Sequence, residues 1–311
     1  MIAIFDSILP IFLLILAGNL LRRVPLIDAG AWVGLEQIGY WFLYPALLFV
    51  TIYNADFEGL QLDAMMLALA LALTAMIALT CALWPLLGRA GLVQRSEFSS
   101  IFQTAVRWNS FMALAIAQKV FPPAGMAVVA LVMAIIIIPI NLVTVFLVTR
   151  FADRAANWRR IGRDMAVNPM ILGSLAAILL RLLPFQLYGP LNQTLGLVGN
   201  AALGMGLLAI GAGLRLGDLW QPRFALLLPV MLKLMLFPAL LIGSALAFGV
   251  SGSELSYLAL CAAVPTAMNG YLLARQLGGD AELYAAVTTV QTAASFVTIP
   301  AVLALSAQIT G

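Results

Sequence analysis

Apolar runs of about 20 residues recur along this chain, and no other feature limits its folding so tightly. A run of that length crosses a hydrocarbon core of about 30 Å as a helix. Inside that core every backbone N–H and C=O must be answered within the protein, so the spanning elements are helices. The strand-like alternation of a membrane barrel is absent. Ten spans follow from the sequence: 4–21, 35–53, 64–87, 98–120, 124–149, 168–184, 192–214, 223–248, 255–276 and 282–306. The expected class is an all-α integral membrane protein. Of the 311 residues 63% are hydrophobic and 9% charged, where a soluble domain carries about a quarter charged.

The first run is counted as a span rather than a cleaved leader. Asp6 and Pro10 stand where a basic region would be, and Arg22-Arg23 follow the apolar stretch. Lys and Arg set the orientation. With the N-terminus outside, twelve of the sixteen fall on the inner side, Lys119 and Arg181 on the outer side, and Arg107 and Lys233 within spans. That is a positive-inside pattern. It puts both termini outside and makes loop 150–167 a cytoplasmic, solvated, orienting segment. The basic pI has the same origin and points to no nucleic-acid partner. Cys81 and Cys261 sit within spans as small apolar residues rather than as a disulfide framework. The chain has no histidine, so the commonest metal ligand and general base are missing. No cofactor, no metal and no enzymatic activity are expected.

Two spans are interrupted at matching places. Span 4 carries Arg107-Trp108-Asn109-Ser110-Phe111, and span 9 carries Val264-Pro265-Thr266-Ala267-Met268-Asn269-Gly270. Asn109 and Asn269 lie 160 positions apart. Leu9-Pro10 and Asn168-Pro169, like Arg22 and Arg181, are offset by 159, and Ile138-Pro139 and Ile299-Pro300 by 161. The halves 1–155 and 156–311 therefore read as repeats of five spans each. Five is odd, so the second copy is inverted in the membrane, as in secondary transporters with broken crossover helices. Asn is a poor interior residue and a good N-cap. Pro265 removes a backbone donor and disfavours helix before it. Half-helix N-termini facing each other near the midplane, with two amides and Arg107, suit an anion.

Arg107 and Lys233 each lie about ten residues into a span, where a cation costs roughly 2.5 kcal/mol or more. Arg107 either faces a solute or bridges helices through carbonyls. Three roles fit Lys233: pairing with carbonyls exposed by a break, carrying a proton, or standing in for a bound cation. All thirteen acidic residues fall in loops or at span edges, so neither cation has a carboxylate at its level. Tyr44-Pro45 is expected to kink span 2. Gln291, with Thr288, Thr289, Thr292 and Ser295, gives span 10 a polar stripe able to line a cavity, and Gln103 and Thr104 are placed to do the same before the first break. Gly204, Gly206, Gly211 and Gly213 in span 7 read as close-packing positions.

Four segments carry a resemblance to a known family: Tyr44-Pro45-Ala46-Leu47-Leu48-Phe49, Arg107 to Phe111, Lys233 to Pro238, and Pro265 to Asn269. The chain resembles the bacterial members of the auxin efflux carrier family over its whole length. The resemblance implies a scaffold of spans 1, 2, 6 and 7 and a moving transport domain of spans 3–5 and 8–10. It also implies a homodimer in the bacterial cytoplasmic (inner) membrane. Asn109 and Asn269 match the family's crossover asparagines. Here Phe111-Met112-Ala113-Leu114-Ala115 replaces the Gly-Leu-Pro run that often follows in the family, and the central loop is short.

The expected activity is elevator-type transport of a small organic anion, a mono- or dicarboxylate, which the resemblance implies is auxin-like or malonate- or malate-like. The site residues are Asn109, Asn269, Arg107, Ser110, Pro265, Thr266, Gln291 and Tyr44, with Arg107 or Lys233 balancing charge. A bile-acid-type sodium symporter, with backbone and amide sodium ligands, is the alternative. Coupling to a proton or to sodium is left open.

Overall fold

The computed structural model describes residues 2–151, 159, 162–163, 166–183, 186–220, 223–268 and 270–310. Among the described residues the chain is helical, with no strand. In order the helices are α1 (Ile2–Leu21), α2 (Ala29–Ile38), α3 (Tyr44–Tyr53), α4 (Leu62–Arg89), α5 (Arg95–Val106), α6 (Ser110–Val120) and α7 (Pro123–Phe151). Then come α8 (Pro169–Arg181), α9 (Gly189–Gly213), α10 (Phe224–Met231), α11 (Phe237–Ala247), α12 (Gly252–Ala263), α13 (Gly270–Leu277) and α14 (Ala281–Thr310). Six stretches are long and apolar enough to cross a membrane: Ala29–Tyr53, Leu62–Arg89, Pro123–Phe151, Gly189–Gly213, Phe224–Ala247 and Ala281–Ile309. Of the remaining expected spans, 1 and 6 form the shorter apolar helices Phe5–Leu21 and Pro169–Arg181, and 4 and 9 are each two half-helices. At 1.5 Å per residue, α8 is only about 20 Å long.

Span 2 begins at Ala29 rather than at 35. Its expected kink takes the form of a π-helical turn, Gly39–Leu43, running into Tyr44-Pro45. A second π turn, Leu232–Leu236, runs into Phe237-Pro238 and joins α10 to α11. Both are followed by aromatic-Pro-Ala-Leu-Leu. A proline lacks the N–H for the carbonyl four residues back and its ring crowds that carbonyl, so the preceding turn widens.

Small residues set the helix spacing. A Cβ at Gly18 would lie 2.1 Å from Leu208 O, and one at Gly211 would lie 1.7 Å from Ile15 O, so α1 and α9 cross nearly backbone to backbone. The expected packing role of Gly211 is met there, while Gly204 faces open space. Asn19 Nδ2 donates to Gly211 O (3.1 Å) and Leu214 O (2.9 Å), and Arg22 donates to Ala212 O. Gly173 of α8 likewise sits against Pro45 O of α3. Arg181 at the end of α8 donates to Ile52 O (3.1 Å), Tyr53 O (3.0 Å) and Ala55 O. Each arginine thus answers the orphan carbonyls of a neighbouring helix C-terminus.

These helices wrap the two broken ones. Every residue from Phe98 to Ala117 is buried except Phe111, which is half-buried, and Tyr257 to Thr266 are all buried. Irregular backbone at membrane depth is tolerated only in such surroundings.

Candidate functional site at the helix breaks

The first break is short. Helix α5 stops because Arg107 turns extended (φ −74°, ψ 159°), and Asn109 restarts the helix. Its side chain accepts from Met112 N–H at 3.1 Å, which is the N-cap expected of it. In the second break Val264 precedes a proline and is extended (φ −69°, ψ 148°), ending α12; α13 resumes at Gly270. Asn269 lies outside the described residues.

The two breaks are bonded to each other. Asn109 N–H donates to Pro265 O at 2.7 Å. Gln291 of α14 completes the joint: its Oε1 accepts from Thr266 N–H (2.9 Å), and its Nε2 donates to Thr104 O (3.0 Å) and Pro229 O (3.0 Å). Thr104 O would bond Trp108 N–H in an unbroken helix, so Gln291 replaces bonds the breaks remove. Tyr284 Oη donates to Ala267 O (2.6 Å) and shares a hydrogen bond with Thr266 Oγ1 (3.2 Å). It occupies the space beside Gly270, where a Cβ would stand 2.2 Å from that hydroxyl.

The two buried cations take different places. Lys233, fully buried in the second π turn, donates to Ala262 O (3.3 Å) in the last turn of α12 and lies 4.2 Å from the Phe237 ring centroid. It fits the first of the three roles, pairing with carbonyls exposed by a break, and it is not on the cavity wall described next. Arg107 is on that wall and is 8% exposed. Its Nη2 donates to Asn141 Oδ1 at 3.0 Å, and its Nη1 has no hydrogen-bond partner among the described residues.

The cavity holds about 200 Å³. Its polar wall is Arg107, Ser110, Asn141 and Asn168; Trp108, Phe111, Met133, Ile137 and Met170 supply much of the rest. Arg107 is the one charged side chain among the described lining residues. Tyr44 backs the wall, stacked on Phe111 with centroids 3.7 Å apart.

Of the expected site residues, Arg107 and Ser110 line the cavity, and Asn109, Pro265, Thr266 and Gln291 lie in the joint beside it. The polar stripe of α14 is turned inward: Thr288, Thr289, Thr292 and Ser295 donate to carbonyls of their own helix. Three residues here went unread in the sequence as site members: Asn141, Asn168 and Tyr284. Asn141 had a signal, an amide two positions after Pro139 in an otherwise aliphatic run. Asn168 caps α8 by accepting from Met170 N–H (3.0 Å), and its Asn-Pro pair served only to align the halves. Tyr284, near a span edge, carried no signal.

A family model described as membrane transport protein matches residues 3–303. The chain belongs to the auxin efflux carrier family. Members of this family are membrane transporters, not enzymes, and the chain is a multi-pass membrane protein. No curated protein matches it closely enough to add a function.

Proposed function

We propose that this transporter carries a small organic anion bearing a carboxylate, seated on Arg107 at the joined breaks and moved by elevator-type alternating access. One observation carries the reading: Arg107 is buried at membrane depth beside a cavity, half satisfied by Asn141, with a free Nη1 and no carboxylate partner among the described residues. A buried cation in that condition calls for an anion. A single charge on the described wall favours one anionic group per solute, since a second would meet only neutral donors. The half-helix α6 begins at the same point and adds its positive dipole end.

The architecture we propose is ten spans in two inverted repeats of five, 1–155 and 156–311. Arg22 and Arg181, offset by 159, support it: each closes a span by capping the helix that ends beside it. Spans 1, 2, 6 and 7 form the scaffold through the α1–α9, α3–α8 and α3–α9 packings, and spans 3–5 and 8–10 the moving body. A homodimer is proposed from the family. The arginine distribution supports a cytoplasmic-membrane protein with both termini outside, and on that orientation Asn168 marks the cavity's inner end.

The test pairs an acid with its amide. Arg107→Gln should cost the acid about 1.5–3 kcal/mol, the value of a charge-assisted bond, and leave the amide nearly unaffected. Arg107→Lys should recover part of the loss, since lysine cannot offer a fork. Equal losses for acid and amide would make Arg107 structural.

A further inference from the structure

One turn before Arg107, on the same face of α5, stands Gln103. It is fully buried, and neither its Oε1 nor its Nε2 has a hydrogen-bond partner among the described residues. Leaving a whole amide unanswered at membrane depth is costly. Helix α7 returns antiparallel to α5 after the Phe121-Pro122 turn. The pair is pinned at one end by Arg107 Nη2 on Asn141 Oδ1 (3.0 Å) and at the other by Arg95 Nη2 on Arg150 O (3.4 Å). Between those pins the register sets Gln103 level with Thr144.

Thr144 is anomalous in the same way. Of the eight buried threonines among the described residues, Thr80, Thr104, Thr149, Thr288, Thr289 and Thr292 donate to the carbonyl four residues back, and Thr266 bonds Tyr284. Thr144 alone has no partner for its hydroxyl. Gln103 Oε1 and Nε2, Thr144 Oγ1 and Arg107 Nη1 are thus four unanswered buried atoms on α5, its break and α7, behind a cavity wall that includes Arg107 but neither Gln103 nor Thr144.

Their chemistry selects the occupant. Arg107 at one end repels a metal cation. Gln103 and Thr144 each donate and accept but carry no charge, so a second carboxylate would be buried without a counter-ion. A neutral hydroxyl, which also donates and accepts, matches both. We propose that Gln103 and Thr144 form a second polar seat behind Arg107 that takes a hydroxyl next to the solute's carboxylate, making the carrier selective for hydroxy acids over their deoxy counterparts. The seat rests on the anion reading above and adds the specificity to it.

The experiment measures dissociation constants by thermal-shift titration of purified wild type, Gln103→Leu and Thr144→Val against three pairs: lactate and propionate, malate and succinate, phenyllactate and phenylpropionate. In at least one pair the hydroxy acid should bind wild type roughly tenfold more tightly, the scale of one well-made hydrogen bond. In Gln103→Leu that ratio should collapse to about one, and in Thr144→Val it should shrink. Both substitutions remove unanswered polar atoms, so the melting temperature without solute should hold or rise, an outcome a merely structural role would reverse. If Gln103→Leu does not fold, the near-isosteric Thr144→Val decides. A hydroxyl preference that survives in both variants, or equal binding of both members of every pair that binds, overturns the seat alone. No binding of any of these acids to folded wild type overturns the anion reading, and the seat with it.

Discussion

Gln291→Leu tests whether the joint between the breaks is a structural necessity. The substitution keeps the bulk of the side chain and removes three hydrogen bonds. Pro229 O retains a share of Leu232 N–H, so its loss is small. Thr266 N–H and Thr104 O are then left without a partner at sites of no solvent exposure. An orphaned buried group costs about 1–3 kcal/mol, so the pair costs about 2–6 kcal/mol against a total stability of roughly 5–15 kcal/mol. At roughly 2 °C per kcal/mol for a chain of this size, the melting temperature should fall by about 4–12 °C. Gln291→Glu retains the acceptor for Thr266 and, protonated in the apolar interior, one donor, so it should fall between Leu and wild type. Thermal unfolding in detergent, followed by tryptophan fluorescence, reads the order. Hydrogen exchange reads its cause, because the Thr266 amide should lose protection in Gln291→Leu before global unfolding. A Leu variant within 2 °C of wild type, with the Thr266 amide still protected, would refute the reasoning.

Three further outcomes are expected. Asn109→Ala removes the cap on Met112 N–H at about 1 kcal/mol and, like Asn269→Ala, should cut solute flux sharply while the protein remains folded and inserted; normal flux in both variants counts against the crossover site. In a background with Cys81 and Cys261 replaced, single cysteines near Asp56 and Glu254 should react with impermeant thiol reagents from outside and those near Arg159 from inside, and the reverse pattern would invert the orientation. Gly270→Ala places a methyl 2.2 Å from the Tyr284 hydroxyl and should destabilise by about 1–3 kcal/mol, with Tyr284→Phe in the same chain restoring part of the loss of melting temperature; no rescue would mean that the strain lies elsewhere.

The breaks themselves were legible because proline, asparagine and glycine act locally. Asn109 had to cap something, and Val264 before Pro265 could not continue a helix. The depth of Arg107 and Lys233 was equally legible, since it follows from counting along an apolar run. What the sequence could not carry is which long-range partner answers each exposed group. Gln291 lies 25 residues from Thr266 and 187 from Thr104, and it looked like one more member of a polar stripe until the helices were packed. The stripe was misleading for a physical reason: a threonine in a helix can satisfy itself on the carbonyl four residues back, so a row of them need not face water or solute. Asn141 became visible only when its helix was laid against Arg107.

The two buried cations, indistinguishable by depth and composition, differ in how far they are satisfied. Lys233 meets a carbonyl at the end of α12 and an aromatic face, which is what a cation at a helix C-terminus needs, and it stands off the cavity. Arg107 lines the cavity, meets one amide and leaves its Nη1 without a partner among the described residues. A residue whose only task is to hold a break together is under pressure to be fully paired, because each unpaired group subtracts from stability. A residue that must take and release a solute cannot be. On the proposed reading, incomplete satisfaction at Arg107, beside complete satisfaction at Gln291, separates the part of the joint assigned to binding from the part that supports it.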